Sequence, residues 1–113
     1  MRAWERVERV GDVDVEAGIW SRSKISVWTK GPALDHAEWH AYFNSQISML
    51  RIDAAYDGTS SGDRYRISGS TADDDLEEYV ETIDSVIDHA NHRYEEEVLP
   101  TLQAHKIRDD RHR

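Results

Sequence analysis

Val13, Val15, Ala17 and Ile19 alternate with Asp12, Asp14, Glu16 and Gly18, the period-two pattern of a strand with one dry face. A polar turn, Ser21 to Lys24, follows, and the β-branched and aromatic run "ISVWTK" predicts a returning strand over residues 24–30 that stops at Gly31-Pro32. Residues 3–10, "AWERVERV", fit a short helix through Trp4, Val7 and Val10, or a strand with Trp4, Arg6, Glu8 and Val10 on one face; the helix is the preferred reading. Pro32 favours a helix start, Asp35 is a candidate N-cap, and Trp39, Tyr42, Phe43, Gln46 and Ile47 recur at helical spacing, which predicts a helix over 35–47. Beyond it the pattern forks. Leu50 and Ala54 suit a longer helix, while Leu50, Ile52, Ala54 and Tyr56 alternate with polar or small residues. A strand is preferred, because the turn-forming "DGTSSGD" and the alternating "RYRIS" downstream complete a second hairpin.

The last predicted element is a helix over 72–99. Ser70 or Thr71 with Asp73 or Asp74 resembles a capping box, and a helical wheel gathers Leu76, Tyr79, Val80, Ile83, Val86, Ile87, Ala90, Tyr94 and Val98 in one apolar arc. The predicted fold is therefore α+β: an antiparallel sheet of two hairpins with helices packed on one face and a long C-terminal amphipathic helix. The other sheet face is expected to be wet or paired with a second subunit. Residues 1–104 are read as one domain, 105–113 as a flexible basic tail, and no internal repeat is evident. This element order is similar to that of small acidic bacterial secretion chaperones, a likeness of order without a shared motif.

Composition narrows the function classes. The 113 residues carry a formal net charge of −9, which disfavours nonspecific binding to nucleic acid or to an anionic membrane. Cysteine is absent, so disulfides and thiol chemistry are excluded. Without an apolar leader or an apolar run of membrane-spanning length, the chain is expected to be a cytoplasmic protein.

Charge is concentrated in one place. Residues 70–100 hold 11 of the 23 acidic residues and one of the 14 Lys and Arg. Asp74, Glu77, Glu78, Glu81, Asp84, Asp88, Glu95 and Glu96 lie opposite the apolar arc, so most of the acidity is the wet side of an amphipathic helix. Two details remain: interspersed Lys is missing, and Glu95, Glu96 and Glu97 sit near the helix end, where the dipole disfavours anions. Their compensation is expected from Lys106, Arg108, Arg111 and Arg113, from Arg22, Lys24 and Lys30, or from a basic partner.

The leading expectation is a small acidic binding module of chaperone, immunity, antitoxin or inhibitor type, without catalysis or cofactor. It would act as a homodimer and meet a basic protein through Trp20, Trp28, Glu77, Glu78, Glu81, Asp84, Asp88, Glu95 and Glu96. A second class is a metal-binding protein or metal-dependent hydrolase, because His36 and His40, and His89 and His92, are spaced to share helix faces. A third is a structural subunit of a larger homo-oligomer. No phosphate-cradling loop, nucleophile elbow or metalloprotease motif is present.

Overall fold

Two hairpins and two helices alternate along the chain in a computed structural model that describes residues 4–32 and 36–102. They are β1 (Glu8–Ala17), β2 (Arg22–Lys30), α1 (Ala37–Leu50), β3 (Ala54–Ser61), β4 (Arg64–Ala72) and α2 (Leu76–Arg93). A 3₁₀ turn (Asp73–Asp75) precedes α2 and a π turn (Tyr94–Val98) follows it, giving one continuous helix of 30 residues. The strands form a single antiparallel sheet in the order β1-β2-β4-β3, so the fold is α+β as the pattern predicts. Each hairpin is followed by a helix. The β2–β4 seam thus joins two consecutive ββα units through an antiparallel pairing.

One sheet face is dry over β2 and β4, whereas the alternating apolar residues of β1 do not form the expected dry face: Val13 is half-buried and Val15, Ala17 and Ile19 are exposed. Ser23, Ile25, Val27 and Thr29 of β2 and Ile67 of β4 are buried beneath the helices. Trp39, Phe43 and Ile47 come from α1, and Tyr79, Ile83, Val86, Ile87, Ala90 and Tyr94 come from the apolar arc of the last helix. Burying each large aliphatic of that arc contributes about 1.5–3 kcal/mol. Thr29 Oγ1 donates to Gly31 O at 2.8 Å and pairs with the Tyr56 hydroxyl at 2.8 Å, so the polar atoms beneath α1 are satisfied. Burial raises the pKa of that Tyr56 hydroxyl.

Several boundaries differ from the sequence reading. Residues 4–7 are not helical, and β1 already starts at Glu8, because Glu8, Arg9 and Val10 pair with Lys30, Thr29 and Trp28. The first turn is centred on Ile19 to Ser21, ahead of the expected polar stretch. Helix α1 runs to Leu50 and is closed by Arg51 in the left-handed conformation, with Ile52 N donating to Ile47 O at 3.2 Å. Leu50 and Ile52 are therefore outside the strand. β3 instead extends through Ser61, pairing Ser60 with Tyr65, so most of "DGTSSGD" is strand and the turn is Gly62-Asp63. Asp35, the proposed cap, lies outside the described residues. The capping box does not form: Ser70 belongs to β4 and donates to Asp53 Oδ2 at 2.7 Å.

Pro100 does not end the helix, which continues to Leu102. A proline in a helix collides with the carbonyl four residues back, here that of Glu96, which lies within the wider π turn at Tyr94–Val98.

Candidate partner-binding surface

The acidic helix divides into two halves that differ in how their charge is met. The C-terminal half is answered by the first described residues. Asn91, 4 % exposed within the apolar arc, accepts from Val7 N–H and from Trp39 Nε1, both at 3.0 Å, and donates to Val7 O at 2.9 Å. This fixes residues 4–9 as an extended strap along α2. Arg9 then meets Asp84 with two bonds of 2.8 and 3.1 Å, and Arg6 meets Glu95 at 3.0 Å with Asp88 at 4.0 Å. Trp4 stacks on Tyr94, centroids 4.3 Å apart, and its indole N–H donates to Glu95 at 3.1 Å. The Trp4 N–H first, and Arg6 after it, hold the Glu95 carboxyl below its ordinary pKa.

The rest of the glutamate run is also satisfied. Arg93 donates to Glu97 at 3.0 Å and the Tyr42 hydroxyl donates to it at 2.8 Å; these bonds, Arg93 first, lower the Glu97 pKa. Glu96 lies 3.2 Å from His92. Glu95 and Glu97 are thus compensated from within, though not by the cations expected from sequence. Arg22 is bonded to Ser70 and Lys30 faces Glu5, while Lys106, Arg108, Arg111 and Arg113 lie outside the described residues. A shallow open cleft of about 290 Å³ between the strap and α2, lined by Val7, Arg9, Asp84, Ile87 and Asn91 among others, is bridged by the Arg9–Asp84 pair.

The N-terminal half is different. Asp74, Asp75, Glu77, Glu78 and Glu81 are exposed and form no ion pair with a described residue. The helix dipole favours acids in the first turn, but Glu81 stands beyond it. Asp73 ties this end to the β1–β2 hairpin: its backbone N–H donates to Ser21 O at 2.9 Å, and Ser23 Oγ donates to its carboxylate. At the tip of that hairpin Trp20 is 88 % exposed and Ile19 77 % exposed.

Of the sequence-predicted residues, Trp20, Glu77, Glu78 and Glu81 therefore share one end of the molecule. Asp84, Asp88, Glu95 and Glu96 lie along the strapped half. Trp28 lies on the opposite sheet face, in register with Val10 and Arg66, and does not join the helix carboxylates in one surface. Arg66 there is paired with Asp57 at 2.6 Å. Burial works against ionisation of Asp57, but bonds from Thr59 and Arg66 outweigh it and lower its pKa.

The histidine pairs do not converge. His36 sets its ring edge toward Tyr94, His40 packs against Tyr56, and His92 faces Glu96. Among the described residues no three His, Asp or Glu side chains come together as metal ligands. No described helix is long and apolar enough to cross a membrane.

Sequence reasoning passed over Arg6, Arg9, Asn91 and Ile19. Asn91 carried a signal, as a polar residue four positions after Ile87 at the edge of the apolar arc. In comparisons with known proteins, the chain matches no family, no curated protein and no solved structure at a significant level.

Proposed function

We propose that this protein is an acidic protein-binding module that engages a basic partner through the N-terminal half of its last helix and the adjoining hairpin tip. The observation that carries this reading is the division of the acidic face. Own-chain cations meet Asp84, Glu95 and Glu97, while Asp74, Asp75, Glu77, Glu78 and Glu81 meet no described cation. Like charges gathered without interspersed Lys repel one another, and Glu81 stands beyond the first turn, where the helix dipole favours acids. A cationic partner relieves that repulsion, and the field of the patch speeds encounter more than it tightens the final complex.

Chaperone, immunity, antitoxin and inhibitor roles all fall within this reading. The test is to identify interacting proteins by crosslinking and mass spectrometry and then to measure association rates across a salt series. A basic partner is expected, with an on-rate that falls as salt rises. Changing Asp74, Glu77, Glu78 and Glu81 to their amides is expected to lower the on-rate by about tenfold or more at low salt. A neutral or acidic partner, or an on-rate indifferent to both salt and the amide changes, overturns the reading.

A further inference from the structure

The β1–β2 turn places a bulky aromatic where the backbone resists one. Arg22 N donates to Ile19 O at 3.3 Å, and the two residues enclosed, Trp20 and Ser21, have φ of 59° and 57°. Two successive left-handed residues make a type I′ turn, whose usual occupants are Asn and Gly, because a side chain beyond Cβ crowds the backbone there. Neither packing nor a hydrogen bond compensates Trp20, since its side chain is almost wholly in solvent. Strain at an exposed, unsupported aromatic points to a use outside the fold.

The base of the turn is held firmly. Gly18 N donates to Arg22 O at 2.8 Å, and a side chain at Gly18 would collide with that same carbonyl. Asp73 grips Ser21 and Ser23 from the helix side. The indole is therefore presented on a braced turn, so little chain freedom is lost on binding.

We propose that Trp20, with Ile19 beside it, is the anchor of the interface, entering an apolar pocket rimmed by Lys or Arg on a cationic amphipathic partner segment. This rests on the reading that the neighbouring carboxylates meet a basic partner, and it adds the apolar half of that partner's chemistry. Charge complementarity selects the occupant. Trp20 follows a strand with Asp12, Asp14 and Glu16, and its turn is bonded to the first of three consecutive aspartates. Two copies meeting tip to tip would bring like charges together, and the acidic edge of β1 opposes strand pairing between copies. Arg22, the nearest cation in sequence, is directed to Ser70 on the open face of the sheet.

Two synthetic peptides of equal charge test the proposal: an amphipathic Leu/Lys helix and an oligolysine, each titrated calorimetrically into the full chain at fixed ionic strength. The amphipathic peptide is expected to bind about tenfold more tightly or better, the scale of one aromatic anchor. Trp20→Ser is expected to abolish that margin and leave oligolysine binding unchanged, with an unaltered circular dichroism spectrum. Equal affinity of wild type for the two peptides, or a margin that survives Trp20→Ser, overturns the anchor while leaving the basic-partner reading in place. Failure of both peptides to bind overturns both. A dimer in sedimentation that dissolves on Trp20→Ser assigns the tip to a second copy and also overturns the proposal.

Discussion

Asn91 does for the buried seam what no apolar residue of the same size can. Its amide satisfies both backbone groups of Val7 and the indole N–H of Trp39, and no buried side-chain nitrogen or oxygen among the described residues lacks a partner. Asn91→Leu keeps the branched four-atom outline of the side chain but strands three polar groups, each worth about 1–3 kcal/mol when left unmade in the interior, so urea denaturation should show a loss of about 3 kcal/mol or more. A loss below about 1 kcal/mol would show that the strap detaches freely. At the helix end, the lowered pKa of Glu95 has a signed consequence. Its stabilisation is present above the ordinary carboxylate value near 4.3 and is lost as pH falls through the lower folded value. Thermal melts should show Glu95→Gln less stable than wild type at neutral pH, with the gap closing between about pH 5 and pH 3. A gap that stays constant would remove the Trp4 and Arg6 bonds as its source.

At the scale of elements, the two turns that cross or leave the sheet are set by backbone geometry. Replacing Trp20-Ser21 by Asn-Gly suits both left-handed positions and should raise stability by about 1 kcal/mol in a thermal melt. No gain would mean that the turn is unstrained. The opposite is expected where the loop after α1 crosses β4. The Asp53 carbonyl and the Tyr79 hydroxyl occupy the space a side chain at Gly69 would take, and that hydroxyl donates to Asp53 O at 2.7 Å. Gly69→Ala should therefore cost about 1–3 kcal/mol by the same assay. Burial, with the charge of Asp53, pushes the Tyr79 hydroxyl up to about 12, so the bond persists through the ordinary pH range.

These elements were legible in sequence to different degrees, for physical reasons. The apolar arc of α2 is sustained over five turns, so helical periodicity overrode its unusual acidity. The ends of β1 and β3 were hidden. Glu8, Arg9 and the Ser60-Ser61 part of "DGTSSGD" are strand because β2 and β4 supply pairing partners, a tertiary cause that local composition cannot carry. The candidate surface was half legible. The acids announce themselves, but which of them are already answered depends on Arg6 and Arg9, residues 75 to 89 positions away in the chain.

Across the whole molecule, charge and apolar exposure gather at the end where the β1–β2 tip meets the start of the last helix, while the strap neutralises the other end. Deleting residues 1–7 should both destabilise the fold and uncover Asp88 and Glu95. Melting temperature and oligolysine affinity measured together check this, the first expected to fall and the second to rise; unchanged values would deny the strap its role. The same strap imposes an order on biosynthesis. Val7 is paired with a residue 84 positions later, so a nascent chain holds the strap unpaired until the helix that receives it has left the ribosome. Until then the first ββα unit has one helix for its sheet and no partner for the Trp39 indole. Ribosome-bound chains arrested before Asn91 emerges should therefore remain protease-sensitive throughout, and release past the π turn should protect the strap and the last helix together.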